Sequence, residues 1–168
     1  MHTTTHTLTA TAPARAWRWD NAIATEASTS QALLRVVLAA ILLPHGAQHL
    51  LGLFGGYGFS GTLGWMTGTL GIAAPLAAVG IVTEFVAPLL MLAGLLARPA
   101  GLALAVFMAF AARTHVENGF FMNWFGALPA GQEGFEYHLL AIAIALTVAA
   151  RGAGAFSVDG WLTGRAAR

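Results

Sequence analysis

Glu84 stands inside an otherwise apolar stretch, residues 71–97, that is long enough to cross a bilayer. An ionised carboxylate at the bilayer centre costs about 2.5–3.5 kcal/mol on the scale derived from membrane insertion. A chain that keeps one there gives it a partner, a proton or a task. Three further apolar stretches carry ionisable groups of their own: His45 and His49, Arg113 and His115, and Glu136 and His138.

These groups differ in the chemistry open to them. His45 and His49 stand at i and i+4, one turn apart on one helical face. That spacing can chelate a metal or hold a haem edge, but two imidazoles are too few to close a site. The alternative is that one bonds Glu84 while the other caps toward the loop. Glu84 is either a protonated carboxyl bonded to a backbone carbonyl, or a proton donor and acceptor beside a bound redox molecule. Arg113 keeps its proton permanently and offers five donors in a planar fork, so it needs an acceptor. Glu84, Glu117 and Glu136 are the candidates, and a structural salt bridge pinning the third span to the fourth is expected. Glu136 and His138 are two apart, which turns them about 200° from each other on a helix, so at most one faces a common site. Di-iron bundles use Glu-x-x-His pairs, and the chain has none. No nucleophile triad is readable, and no haem or metal is expected.

Composition says what must hold these groups in place. The chain is 57% hydrophobic and 9% charged, with a mean hydropathy of +0.70, against about 25% charged in an ordinary soluble domain. An integral membrane protein of one domain is expected, with residues 1–30 a flexible or interfacial tail and residues 31–163 the transmembrane domain. The net charge of +1 comes without a basic stripe, so there is no case for nucleic acid. All eight cations are Arg, which excludes Lys Schiff-base chemistry. Without cysteine the chain has no disulfide, thiolate metal site or redox thiol of its own. Electrons from any thiol or sulfur oxidation would have to pass through a cofactor or a partner subunit. The Thr/Ala-rich first 30 residues lack the apolar core of a signal peptide, and Trp17 and Trp19 predict a segment resting at the membrane interface.

Four spans are predicted, at residues 32–54, 72–97, 100–115 and 135–150. Ser30 is the expected N-cap of the first and Pro44 its kink. Pro75 and Pro88 fall in the second, and Arg98-Pro99 makes the tight connection to the third. The last two are at or below the ~17–25 residues a bilayer needs, so their polar ends must lie in protein. Arg15, Arg18 and Arg35 precede the first span or enter it, Arg98 lies between the second and third, and Arg151, Arg165 and Arg168 follow the fourth. Residues 55–71 carry no charge, and residues 116–134 carry Glu117 and Glu133 but no Arg. The positive-inside rule then places both termini in the cytoplasm. At 1.5 Å per residue Glu84 lies about 18 Å below the outer end of its span. Every buried ionisable group except Arg35 falls in the outer half of an all-α, four-helix membrane bundle. The aromatic segments 54–59 and 118–126 are expected as outer loops, capping a flat ring or forming an interfacial belt.

The order of these pieces resembles the DoxX-like family of four-helix membrane proteins. The residues that carry the resemblance are Arg35, then Pro44-His45-Gly46-Ala-Gln-His49-Leu-Leu-Gly52-Leu-Phe-Gly55-Gly56, Glu84, and Gly94-Leu-Leu-Ala-Arg98-Pro-Ala. They continue with His115-Val-Glu-Asn118-Gly119-Phe120-Phe121, Gly134-Phe-Glu136-Tyr, and Gly152-Ala-Gly-Ala-Phe-Ser157-Val-Asp159, covering about residues 32–162. One departure matters: the family pattern usually has Lys where His49 stands, so a permanent cation is replaced by a switchable one. The family is named for a subunit of a thiosulfate:quinone oxidoreductase, and its relatives are linked to thiol, quinone and oxidative-stress systems. By that resemblance Glu84 and His45 line a shared cavity, while Arg35 and Asp159 lie near the cytoplasmic face.

The expected protein is therefore a multi-pass plasma (inner) membrane protein, redox-associated, that binds a quinone-like small molecule in a polar cavity. Glu84 is the expected proton donor or acceptor and His45 its hydrogen-bonding partner. His49, Arg113, His115 and Glu136 complete the cofactor-binding wall. Its partners are the lipid bilayer and a soluble or membrane redox subunit. The competing expectation is a non-catalytic subunit or assembly partner whose buried charges only fix helix register. Transport of a small solute is less favoured, because no inverted repeat is visible.

Overall fold

A computed structural model describes residues 19–129 and 132–164. The expectations placed on Trp17, on Arg15, Arg18, Arg165 and Arg168, and on most of the N-terminal tail lie outside the described residues. Those described form helices and connections, with no strand among them. The α-helices are α1 (Trp19–Ala22), α2 (Thr29–Leu51), α3 (Gly58–Gly68), α4 (Ala74–Ala93), α5 (Ala97–His115), α6 (Glu136–Arg151) and α7 (Val158–Leu162).

Three are long and apolar enough to cross a membrane: α2, α4, and α5 with the 3₁₀ turn that continues it to Asn118. At 16 residues, or about 24 Å, α6 has the length expected of the fourth span, one residue further on, and is shorter than a bilayer needs. Its contacts with α5 and α2 set it beside helices that do reach across.

Several boundaries differ from the expected ones, each for a local reason. Ser28, not Ser30, caps α2. Its extended backbone lets the side-chain oxygen accept from the Gln31 N–H at 3.3 Å, one of the donors a helix start leaves bare. The helix then continues through Pro44 to Gly52. Arg98-Pro99 is not the connection between α4 and α5 but part of the first turn of α5. A first-turn proline forfeits an N–H that has no helical partner anyway. The turn itself is Gly94 to Leu96, entered through Gly94 at φ +65°. Residues 58–68, expected as loop, form α3. Four glycines at 58, 61, 64 and 68 hide that helix, each lowering helix propensity by about 1 kcal/mol relative to Ala.

α2 packs on α4, α4 on α5, α5 on α6, and α6 back on α2, while α3 lies across α2 and α4. The core at these contacts is built of Leu38, Leu42, Met91, Leu104, Met108 and Val148 interleaved with Ala39, Ala87, Ala97, Ala100, Ala105, Ala141 and Ala145. Small residues let helix backbones approach closely where lipid gives no hydrophobic drive for association. Outward, the helices show Leu33, Val37, Ile41, Val79, Val86, Leu102, Phe110 and Leu140. An apolar exterior around a small-residue core is the pattern of a protein solvated by lipid.

Candidate functional site

α4 presents one buried line, Ala77, Ile81, Glu84, Ala87, Pro88 and Met91, the three-and-four spacing of a single helical face. Glu84 therefore points inward as part of the packing surface and is 4% exposed. Opposite it on α2 is Gly46, where a Cβ would come within 2.4 Å of the Glu84 carbonyl oxygen and 2.6 Å of the Phe85 Cα. The two backbones touch here, and only glycine allows it.

This contact decides which histidine meets the carboxylate. Measured from Gly46, His49 lies about 60° round the helix and His45 about 100°. His49 Nδ1 is 2.5 Å from Glu84 Oε2, whereas His45 is exposed. The pairing of Glu84 with His45 is thus corrected to His49, because His45 is turned out of the contact. Since the carboxylate is acceptor-only when ionised and the imidazole can donate or accept, this contact holds one proton between Nδ1 and Oε2 in either direction. The Glu84 carboxylate makes no other hydrogen bond to a described residue.

The same end of the helix assembly gathers two more histidines. The buried line of α5, Ala97 through Met108, continues about 20° away at His115, while Arg113 sits about 140° round from Met108. His115 is accordingly half-buried and Arg113 exposed. Arg113 forms no ion pair with Glu84, Glu117 or Glu136 among the described residues, so the expected salt bridge pinning α5 to α6 is not made. On α6 the buried line is His138, Ala141, Ala145 and Val148, and the His138 ring lies 4.7 Å from that of His115. The His115 Nδ1 donates to the Glu133 carbonyl at 2.8 Å. A carbonyl can only accept, which fixes the His115 tautomer and leaves its Nε2 as the acceptor when the ring is neutral.

Glu136 faces away from His138, as the two-residue spacing requires, and organises the connection between α5 and α6. Its Oε1 accepts from the Met122 N–H at 3.1 Å and from the Trp124 Nε1 at 2.8 Å. Glu133 Oε2 accepts from the Asn123 N–H at 2.6 Å, and the Glu136 and Phe135 N–H groups donate to the carbonyls of Phe120 and Gly119. Phe121, Trp124 and Phe125 are left exposed. Hydrogen bonds to a charged group are worth roughly 1.5–3 kcal/mol each. Glu136→Ala is therefore expected to raise limited proteolysis between Gly119 and Pro129 about tenfold, and unaltered cleavage would show that this carboxylate does not order the loop.

Among the described residues three buried side-chain polar atoms have no hydrogen-bond partner: Thr62 Oγ1 on α3, and Tyr137 Oη and His138 Nδ1 on α6. The Tyr137 ring lies 5.8 Å from that of His138. Sequence reading singled out neither Tyr137 nor the inward turn of His138. The period His138, Ala141, Ala145, Val148 was the available signal for the latter. An apolar groove of about 300 Å³ opens along α3 and α4, lined by Phe59, Ala78, Val79, Val82 and Thr83. Among the described residues no three His, Asp or Glu side chains gather as a metal-binding group.

At the opposite end of the helices lies a second buried constellation, Arg35 with Asp159. The Arg35 guanidinium donates to the carbonyls of Ala153 at 2.7 Å, Leu92 at 2.9 Å, Phe156 at 3.2 Å, Ala155 at 3.4 Å, and Met91. Asp159 accepts from the Leu96 and Ala97 N–H groups at 2.8 and 2.9 Å, capping α5. Burial pushes the Asp159 carboxyl above the usual carboxylate range, and these two N–H groups and Arg35 pull it back. Every one of these contacts joins helix ends, which makes this a structural clamp.

Comparison with protein families finds that a model described as DoxX matches residues 30–124, more than half of the chain. Comparison with curated proteins and with solved structures gives no match.

Proposed function

The chain belongs to the DoxX family, and from that premise we propose that it is a redox-associated, multi-pass protein of the plasma membrane in which the His49–Glu84 pair serves a quinone-like ligand. The observation that carries this reading is the 2.5 Å contact between His49 Nδ1 and a buried carboxylate within an apolar helix. A residue that holds a proton inside hydrocarbon is what quinone reduction needs and what a purely structural helix pair does not. In this reading α2, α4, α5 and α6 form a four-helix transmembrane bundle with both termini cytoplasmic. Arg35, Arg98 and Arg151 stand at one end, and Glu117, Glu133 and Glu136 at the other with Arg113 the one arginine beside them, which supports that orientation.

The residues present suit such a ligand. A flat ring needs an apolar slot, hydrogen-bond donors for its carbonyls and a nearby proton carrier. Phe59 and the valines of the α3–α4 groove offer an apolar surface, on the outward side of α4 and about 100–160° round the helix from Glu84. The Tyr137 and Thr62 hydroxyls are donors without partners. When bound, a quinone supplies reversible uptake of electrons and protons. The protein's part is the proton. With neutral His49 donating to ionised Glu84 the pair carries net charge −1, and one added proton makes it neutral. The neutral form is the one a hydrocarbon environment tolerates, so a proton given up must be regained. His49, unlike a lysine, makes the pair's cation able to come and go.

The second reading is a non-catalytic membrane subunit, supported by the position of Glu84 and His49 at the α2–α4 contact, where they also act as a tie. Purified protein separates the two by solvent extraction and mass spectrometry of bound quinone. Wild-type protein is expected to carry quinone, Glu84→Gln at least tenfold less at similar folded yield, and His49→Lys an amount near wild type. Quinone-free wild-type protein, or Glu84→Gln that loses yield while its ligand content per folded molecule stays constant, would favour the subunit reading.

A further inference from the structure

The end of the helices opposite His115 and His138 carries basic and apolar groups that the clamp around Arg35 does not use. The register of α5 on α6 is fixed where a Cβ on Gly101 would come within 2.7 Å of the Ala145 carbonyl oxygen and 3.0 Å of the Ala149 nitrogen. Arg98, one turn before Gly101, is therefore level with the end of α6, where Arg151 stands exposed. The Ala24 carbonyl lies between the two. It accepts from Arg98 Nε at 2.6 Å, and Gly152 packs against it so closely that a Cβ there has no room. The bond holds the Arg98 guanidinium by one nitrogen and leaves its two Nη groups, which bond no described residue, as a preset fork. Of the described carboxylates on the neighbouring segments, Asp20, Glu26 and Asp159, none pairs with either guanidinium. Arg151 lies about 20° from Leu140 round α6, so it continues the lipid-facing line of that helix.

Beside these arginines α7 shows its apolar side outward. Asp159 accepts from the Leu96 and Ala97 N–H groups, which fastens α7 to the start of α5, next to Arg98. Asp159 and Gly160 are buried by this contact. The remaining face presents Val158, Trp161 and Leu162, all within about 100° of one another, and Phe156 just before the helix is exposed as well. An exposed apolar strip bearing a Trp, at the end of membrane-crossing helices, suits the bilayer interface. We propose that Arg98, Arg151 and the outer face of α7 form a binding site for an anionic phospholipid of the leaflet at this end. The arginines take the headgroup phosphate, and α7 lies against the glycerol and upper acyl region. Charge favours this occupant, because two cations without a carboxylate attract an anionic headgroup more than a zwitterionic one, whose ammonium offsets them. The free Nη fork matches two phosphate oxygens, and lipid-facing Leu102 stands one turn along α5 from Arg98. The inference needs membrane-crossing helices and is independent of the quinone-like ligand.

Native mass spectrometry of the detergent-purified full chain tests the site, with phosphatidylglycerol and phosphatidylcholine of identical acyl chains titrated side by side. Wild-type protein is expected to bind phosphatidylglycerol the more tightly. Arg151→Gln should reduce that preference about fivefold, the worth of one arginine near an anionic surface. Arg98→Lys keeps the charge and loses the fork, so a smaller reduction is expected, and Arg98→Gln combined with Arg151→Gln should remove the preference. Arg151 is exposed, so Arg151→Gln carries the test if an Arg98 variant does not fold. Trp161→Ala should weaken both lipids alike. Arg113→Gln removes the same charge from the opposite end and is expected to leave the preference in place. Equal affinity of wild-type protein for the two lipids, or an equal loss in Arg113→Gln and Arg151→Gln, would overturn the site. Displacement of phosphatidylglycerol by millimolar inorganic phosphate would overturn the lipid assignment in favour of a free anion.

Discussion

Arg35→Met is expected to abolish recovery of folded, monodisperse protein from membranes. The side chain is 1% exposed, and its guanidinium joins α2 to two other parts of the chain. It donates to Met91 and Leu92 at the C-terminal end of α4 and to Ala153, Ala155 and Phe156 in the segment after α6. Carbonyls at a helix C-terminus have no intrahelical donors, and a cation there also opposes the helix dipole. Methionine fills the volume but removes the guanidinium donors from these carbonyls, of which Met91 keeps only the Gly94 N–H, and the counter-charge from the Asp159 carboxylate. Removing one partner from a buried charged network costs about 3–5 kcal/mol, against a total stability of about 5–15 kcal/mol for an ordinary domain. Arg35→Lys keeps the charge but replaces a planar fork of five donors with a compact ammonium, so an intermediate loss is expected. Fluorescence-detected size-exclusion chromatography with a thermal ramp measures both. An Arg35→Met protein melting within a few degrees of wild type would show that the clamp does not hold the helix ends together.

Gly46→Ala is expected to destabilise the protein and to pull apart the candidate site in one step. The added Cβ would lie 2.4 Å from the Glu84 carbonyl oxygen, 2.6 Å from the Phe85 Cα and 2.7 Å from the Glu84 carbonyl carbon. All three are backbone atoms, so no side chain can swing aside and α2 must move off α4. Overpacking of this kind costs about 1–3 kcal/mol, and here the displacement acts on a hydrogen bond only 2.5 Å long. The His49 ring N–H signal should shift along with the loss in melting temperature. Gly64→Ala is the control: an added Cβ there meets nothing within 4 Å, and alanine favours helix by about 1 kcal/mol over glycine. If both variants behave like wild type, the close α2–α4 approach does not exist in the membrane.

The legible features of this chain are those carried by local composition. Apolar runs of spanning length around Glu84, and a low content of charge, identify the membrane helices without reference to any partner. Periodicity also carried part of the site: a spacing of two forbids Glu136 and His138 a common face, and the structure turns His138 in and Glu136 out. Where glycine or proline dominates, the local signal misleads. α3 is hidden by its glycines, and Arg98-Pro99 reads as a turn although its proline occupies the one part of a helix that needs no N–H from it. The resemblance, resting on an ordered set of soft motifs, reached Arg35 and Asp159 but said nothing of what they bond.

What the sequence determined by itself is the inventory: an apolar helical chain with no cysteine, a carboxylate in the middle of one membrane helix, and imidazoles near the ends of others. Such properties depend on residue type and spacing along one chain segment. Tertiary structure decided the pairings. Whether His45 or His49 reaches Glu84 depends on the angle at which α2 meets α4, and that angle is set by Gly46 against the Glu84 backbone. Whether Arg113 finds a carboxylate depends on where the buried line of α5 has rotated by its last turn, and whether Glu136 lines a cavity depends on the loop that folds back to claim it. Each is a relation between two surfaces, and a helix turns 100° per residue. Neighbours in sequence therefore face different partners until the contact line between helices is known.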